Sequence, residues 1–214
     1  HDYFECEIAS LDDDFPLVRI TRHEDATDDG PLVMLVQGLA KGEKMDSVIR
    51  HATELGVTAF MPLTCERSIV KLDAKKTRTR LDRWCSIAKS AAMQSGQPRI
   101  PEVLEPRSVK EAAAELAEAT AVLICWEEAP QTASLAQAIG RGLSECSCPR
   151  GDTRIAVVVG PEGGLTEREV SFFLDANPRA SLVSLGSSIL RTETAGVVAP
   201  ALTLYELGKL GGTR

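Results

Sequence analysis

No apolar run in the 214 residues approaches the length needed to cross a bilayer and no secretory signal is visible, so a folded cytoplasmic protein is expected. The chain begins with His1 rather than Met, which suggests a longer N-terminal segment than the one printed. A disulfide framework is missing too: Cys6, Cys65, Cys85, Cys125, Cys146 and Cys148 are scattered, so reduced, structural or incidental thiols are expected. Only Cys146 and Cys148 are close, and without a second pair or a nearby His they do not make a zinc site; no metal is expected. A Ser or Cys nucleophile with a paired His is not evident, because "LGSSIL" is not a nucleophile elbow and His1, His23 and His51 lie far from it in sequence. No glycine loop carries the lysine of a phosphate cradle, which argues against a phosphotransferase. Internal repeats and low-complexity tracts are also absent.

What is present is the composition of a globular chain, 43% hydrophobic and 26% charged. The net charge of −7 is unevenly placed: residues 1–30 hold ten acidic side chains against two arginines, and the rest is close to neutral. Within that remainder, "ERSIVKLDAKKTRTRLDR" is the densest basic stretch and could follow a phosphate backbone or form a solvated helix face. Arg67, Lys71, Lys75, Lys76, Arg78 and Arg99 are the candidate RNA contacts, with Ser68, Gln94 and Gln97 as minor ones.

The first thirty residues read as two short strands, "YFECEIA" and "FPLVRIT", joined by an acidic turn. Two strands make no stable domain alone, so they read as the end of a small β domain over 1–28. From Pro31 onward strand and helix signals alternate. "LVMLVQGL", "VTAFMPL", "RSIVKL", "TAVLICW", "TRIAVVVG" and "ASLVSLG" are predicted strands, and "PEVLEP" is a short extended piece. Helices are predicted over "KMDSVIRHATELG", Ala74 to Ser95, "SVKEAAAELAEA", "SLAQAIGRGL", "LTEREVSFFLDA" capped by Thr166, and "TETAGVVAPALTLYELGKL"; "SECSCPRGD" reads as a loop. The alternation predicts an α/β fold with a mostly parallel sheet over residues 29–214.

In an open α/β sheet, ligands collect beyond the carboxyl ends of the strands. Three loops leave such ends here: "CWEEAP", "GPEGGL" and "LGSSILRTETA". Gly160, Gly163 and Gly164 permit close backbone approach and Pro161 stiffens the turn, but Glu162 would repel a phosphate. A neutral or cationic ligand is therefore expected. Arg191, at the start of a helix, opposes the helix dipole and calls for an anionic partner, either Glu162 or Glu193 or a ligand group.

"GPEGGLTEREV" and "LGSSILRTETA", preceded in order by "KGEKMDSVIRHATELGV", "PLTCERSIVK" and "AAMQSGQPRIPEV", resemble the RsmE family of SPOUT-class RNA methyltransferases. The resemblance implies an S-adenosylmethionine-dependent enzyme that methylates N3 of a uridine in 16S ribosomal RNA. It also implies a C-terminal trefoil knot, a homodimer, and an N-terminal PUA-like β-barrel of which residues 1–28 are the last strands. On that basis Arg191, Glu162 and Glu193 are the expected catalytic residues. The cofactor would be enclosed by Ile124, Cys125 and Trp126 from the first loop and by Gly160, Pro161, Glu162, Gly163 and Gly164 from the second. Leu185, Gly186, Ile189, Leu190 and Thr194 would complete the enclosure from the third. A non-catalytic RNA-binding or ribosome-assembly protein with the same fold is the alternative.

Overall fold

The computed structural model describes residues 2–11, 15–25, 30–70, 72–129, 132–146 and 149–212. Strands β1 (Asp2–Leu11) and β2 (Pro16–Asp25) pair antiparallel as a separate two-stranded sheet. Phe4, Ile8, Leu17, Val18 and Ile20 of this hairpin are exposed. These apolar side chains find no core among the described residues.

The remaining strands form one parallel sheet. Its members are β3 (Leu32–Gly38), β4 (Ala59–Thr64), β5 (Glu102–Val103), β6 (Arg107–Ser108), β7 (Ala121–Cys125), β8 (Arg154–Val159) and β9 (Ala180–Val183). The order is β5-β4-β3-β8-β7-β9, with β6 paired to β4. Because parallel strands need crossovers, helices cover both faces. The first face carries α1 (Lys44–Leu55), α2 (Ala74–Ser95), α4 (Leu135–Glu145) and α6 (Thr192–Glu206); the second carries α3 (Val109–Glu115) and α5 (Glu167–Ala176).

The period-two alternation of the strands divides the core in two. Val33, Leu35, Leu123, Ile155, Val157 and Val159 point to the first face, and Val36, Val122, Ile124, Ala156 and Val158 to the second. On α1, Met45, Val48, Ile49 and Ala52 recur at helical spacing and are all buried. Gly56, at φ 106°, ends that helix by donating its N–H to the Ala52 and Thr53 carbonyls. Helix α2 begins and ends where its sequence pattern places it, with Trp84, Ala88 and Ala91 buried and Ile87 half-buried. Asp46 of α1 accepts from the Trp84 indole at 3.1 Å and from Arg83 Nε at 2.7 Å, so the buried polar edge of Trp84 is satisfied.

Three local expectations are corrected. Residues 67–70 of "RSIVKL" form turns and irregular chain rather than a strand. The physical reason lies in the side chains around them: Ser68 Oγ accepts the Cys65 N–H at 3.2 Å, and the Glu66 N–H goes to Glu169 rather than to a neighbouring strand. Helix α4 runs on to Glu145 and a short 3-10 turn covers Arg150–Asp152, so "SECSCPRGD" is not all loop. Cys146 is disulfide-bonded, against the expectation of a reduced thiol, while Cys6, Cys65, Cys85 and Cys125 are free. No helix among the described residues is long and apolar enough to cross a membrane.

Leu123, with no exposed surface at the centre of β7, is a direct probe of this packing. Leu123→Ala is expected to destabilise the domain by about 2–5 kcal/mol. Urea unfolding monitored by circular dichroism should show a lower midpoint with an unchanged slope.

Candidate active site

Strands β8, β7 and β9 are neighbours, and Cys125 pairs with both Val159 and Val183, so the three carboxyl ends finish level with one another. The loops that leave them enclose a cavity of about 620 Å³, a size suited to a small-molecule ligand. Cys125 and Trp126 line it from the first loop; Gly160, Pro161, Glu162 and Gly164 from the second; Leu185, Gly186, Ile189, Leu190 and Arg191 from the third. Glu193, in the first turn of α6, also borders it.

The glycine-rich loop is held by contacts from several directions. Gly38, at the end of β3, lies so close to Pro161 that an added Cβ would collide with the Pro161 nitrogen and ring. Gly164 sits at φ +71°, where its N–H closes a turn onto the Pro161 carbonyl at 2.9 Å. Trp126 Nε1 donates to the Leu165 carbonyl at 3.0 Å, joining the first loop to the second. Arg67 reaches over from the β4–α2 connection, donating to the Gly163 carbonyl at 3.2 Å and pairing with Glu128 at 3.0 Å. Just beyond the loop, the buried Glu169 carboxylate receives the Thr166 N–H at 2.9 Å and the Glu66 N–H at 2.7 Å. The capping box of α5 therefore anchors the same β4–α2 connection.

A second set of contacts fixes the start of α6. Thr192 Oγ1 donates to the Gly160 carbonyl at 2.6 Å and accepts from Gln37 Nε2 at 2.9 Å. Gln37 is buried at the end of β3, and Gly196 one turn along α6 has no room for a Cβ beside its Oε1. The helix start, the glycine loop and the central strand are thus tied through one hydroxyl.

Lys44, which sequence reasoning missed, stands at the cavity mouth. Its Nζ lies 3.0 Å from Glu162 Oε1 and 3.2 Å from Glu193 Oε2. The Glu193 contact is an ion pair without hydrogen-bond alignment, since Oε2 has no hydrogen-bond partner. Glu162 also accepts the Lys41 N–H at 3.0 Å. Burial pushes the Glu162 carboxyl upward, but the Lys41 N–H, its own N–H and Lys44 outweigh burial and bring it below the usual range. Glu193 is lowered by its own backbone N–H and then by Lys44, against burial. Lys44 is raised by its contacts with both carboxylates. A signal for Lys44 existed in the sequence: a lysine at the first position of a helix opposes the helix dipole, as Arg191 does at α6.

The two salt-bridge partners suggested for Arg191 are thus taken by Lys44. Arg191 is exposed, caps α6 without a side-chain cap bond, and forms no salt bridge among the described residues. Cys125 in the cavity wall is held protonated, its thiol pushed up to about 12 by burial, so it offers no thiolate nucleophile at neutral pH.

The other sequence candidates are dispersed. Ile124 is fully buried in the second core cluster, and neither Gly163 nor Thr194 is among the residues that line the cavity. Lys75, Lys76 and Arg78 are exposed on the first turns of α2, Lys76 paired with Asp73 at 3.1 Å. Arg99 is half-buried beyond the end of α2, and Lys71 lies outside the described residues. Ser68 is buried, Gln94 faces a groove between α1 and α2, and Gln97 donates to the Glu54 carbonyl at 2.9 Å.

Fold and site together define a class: a three-layer α/β protein with a parallel sheet whose ligand cavity is built from strand-end loops bearing carboxylates and a glycine turn. The chain matches the RNA methyltransferase domain family over residues 29–204, and it belongs to that family. It is 34% identical over 209 residues to a protein of Bacillus subtilis named ribosomal RNA small subunit methyltransferase E, covering 97% of this chain and 79% of the relative. A Mycobacterium bovis protein of the same name is 35% identical over 173 residues, covering 79% of this chain but 61% of its own length. The crystal structure of ribosomal RNA small subunit methyltransferase E from Neisseria gonorrhoeae, bound to S-adenosyl methionine, superposes with a TM-score of 0.75. It is 30% identical and covers 95% of this chain and 78% of that one.

The approach of β3 to the glycine loop can be tested directly. Gly38→Ala is expected to displace Pro161 and to abolish ligand binding in the cavity while the far side of the sheet stays folded. Hydrogen exchange should show faster opening confined to the strand-end loops; an unchanged pattern would contradict the packing described.

Proposed function

We propose that the protein is an S-adenosylmethionine-dependent methyltransferase acting on N3 of a uridine in 16S ribosomal RNA. The single observation that carries this reading is the cavity formed by the three strand-end loops, in a chain of this family. The residues present suit the cofactor: an apolar wall from Val159, Leu185 and Leu190 for adenosine, backbone groups of the glycine loop, and Glu127 and Glu162 for positive charge. No lysine-bearing phosphate cradle competes with that reading. The cofactor supplies a methyl group on a sulfonium.

The chain's own residues must then orient the base and handle one proton. Uridine N3 carries a proton at neutral pH, and its loss leaves charge on the carbonyl oxygens O2 and O4. Arg191, which lines the cavity and forms no salt bridge among the described residues, holds that charge. Glu162, engaged by Lys41 and Lys44, orders the glycine loop. Glu193, in the first turn of α6 at the cavity edge, is the carboxylate that receives the N3 proton.

The finer architecture belongs to the same proposal. Residues 1–28 are the last strands of a PUA-like RNA-binding barrel, and 29–214 form a SPOUT methyltransferase domain with a C-terminal trefoil knot, working as a cytoplasmic homodimer. Supporting the knot, β9 lies at the sheet edge whereas α6, directly after it, packs back against α1, β3 and β8. Supporting the barrel, the hairpin exposes Phe4, Ile8 and Ile20, side chains suited to a larger β core. The small ribosomal subunit is the substrate, reached along the exposed basic start of α2.

Arg191→Ala should remove methyl transfer to small subunits, at least about 100-fold in kcat, while S-adenosylmethionine affinity in calorimetry stays within about threefold. Equal loss of both would overturn the assignment. Reversing Lys75, Lys76 and Arg78 together should weaken RNA binding and reduce the slope of log K against log salt by about 2 to 3. An unchanged slope would make them a solvated face.

A further inference from the structure

Three chain segments distant in sequence meet at one ammonium group: the turn that opens α1, the glycine loop after β8, and the first turn of α6. Two of the segments are poor places for the charge they carry, while Glu193, in the first turn of α6, stands where a helix favours a carboxylate. Lys44 opens a helix, where a cation faces the positive end of the dipole, and Glu162 sits in a tight turn. Together the charges answer one another. Glu162 and Glu193 both touch Lys44 Nζ, so their contacting oxygens are at most about 6 Å apart. Without the ammonium they would be like charges side by side at the mouth of the cavity.

The surrounding charges do not replace it. Among the described residues, Lys41 contributes only its backbone N–H, Arg191 acts on Glu193 without forming a salt bridge, and Glu43 lies toward Arg83 at 3.7 Å. Glu127, across the cavity, adds negative charge beside Gly164.

We propose that Lys44 is a positioning residue: its ammonium clamps Glu162 to Glu193 and thereby holds the glycine loop and the start of α6 in the arrangement that receives the ligand. The clamp deepens the methyltransferase reading, and its effect on cofactor affinity rests on that reading. Its effect on the unliganded protein does not. The depressed carboxylates give stability that is present above their ordinary range and lost as pH falls through their lowered values. The raised lysine gives stability that is present below 10.5 and lost as pH rises through its higher value. The clamp is therefore intact across the neutral range and opens at both extremes.

Two measurements on the whole chain test it. Thermal unfolding of wild type and Lys44→Met is followed from about pH 2 to 8, which spans the range below the ordinary carboxylate value. The wild type should melt higher at neutral pH, with the gap closing toward the acid end; a gap that does not depend on pH would overturn the electrostatic role. Calorimetric titration with S-adenosylmethionine at neutral pH should show affinity lowered at least about tenfold in Lys44→Met. Lys44→Arg should stay within about threefold, and Lys44→Met with Glu193→Gln should recover most of the loss, because the like charges are gone. Wild-type affinity in Lys44→Met, or no recovery in the double variant, would overturn the clamp. If the wild type itself does not bind S-adenosylmethionine, the methyltransferase reading falls and the unfolding profiles alone decide the clamp. If Lys44→Met does not fold, folding of the double variant supports the clamp and its failure to fold overturns it.

Discussion

The hydroxyl of Thr192 is the contact on which the site depends. It donates to the Gly160 carbonyl and accepts from Gln37, and so joins the glycine loop, the last helix and the central strand β3 at one buried point. That junction exists because two glycines leave space for it. A Cβ at Gly38 would strike Pro161, and one at Gly196 would strike Gln37. Backbone approaches of this closeness need residues without side chains, and a neutral hydroxyl that both donates and accepts satisfies two buried partners without burying a charge.

Charge is managed at the rim instead. Lys44, Glu162, Glu193 and Arg191 gather around the cavity mouth, where solvent tempers their interactions, while the walls include Val159, Val183 and the half-buried Cys125. A low-dielectric floor under a charged rim lets a ligand present apolar surface inward and charged groups outward. The arrangement suits a molecule that combines an aromatic nucleoside with charged ends and offers nothing to a bare phosphate. Arg67 shows the same economy of roles: a residue that reads as an RNA contact in a basic stretch is bound to Glu128 and to the glycine loop.

Helices and strands with a strong period were legible before any coordinates. The limits of α2, the Thr166 cap of α5 and the Gly56 stop of α1 follow from local rules that neighbouring residues satisfy among themselves. The three loops that line the cavity were legible too, because strand ends in a parallel sheet gather on one edge. The segment "RSIVKL" was not, since its apolar alternation suits a strand, whereas the Ser68 hydroxyl closes a turn on Cys65 and the distant Glu169 carboxylate takes the Glu66 N–H. Lys44 was missed for a related reason: its partners stand far along the chain, and the single local clue was a cation at the wrong end of a helix.

The sequence by itself determined the element types, the two-faced alternation of the core strands and the loops from which a site is built, because each depends on residues within one or two turns of one another. Tertiary structure alone decided the order of the strands, the pairing of Lys44 with two carboxylates and the threefold junction at Thr192. Those depend on which distant segments the packing brings within 3 Å or so, a distance scale that hydrogen bonds and ion pairs require and that linear spacing does not encode.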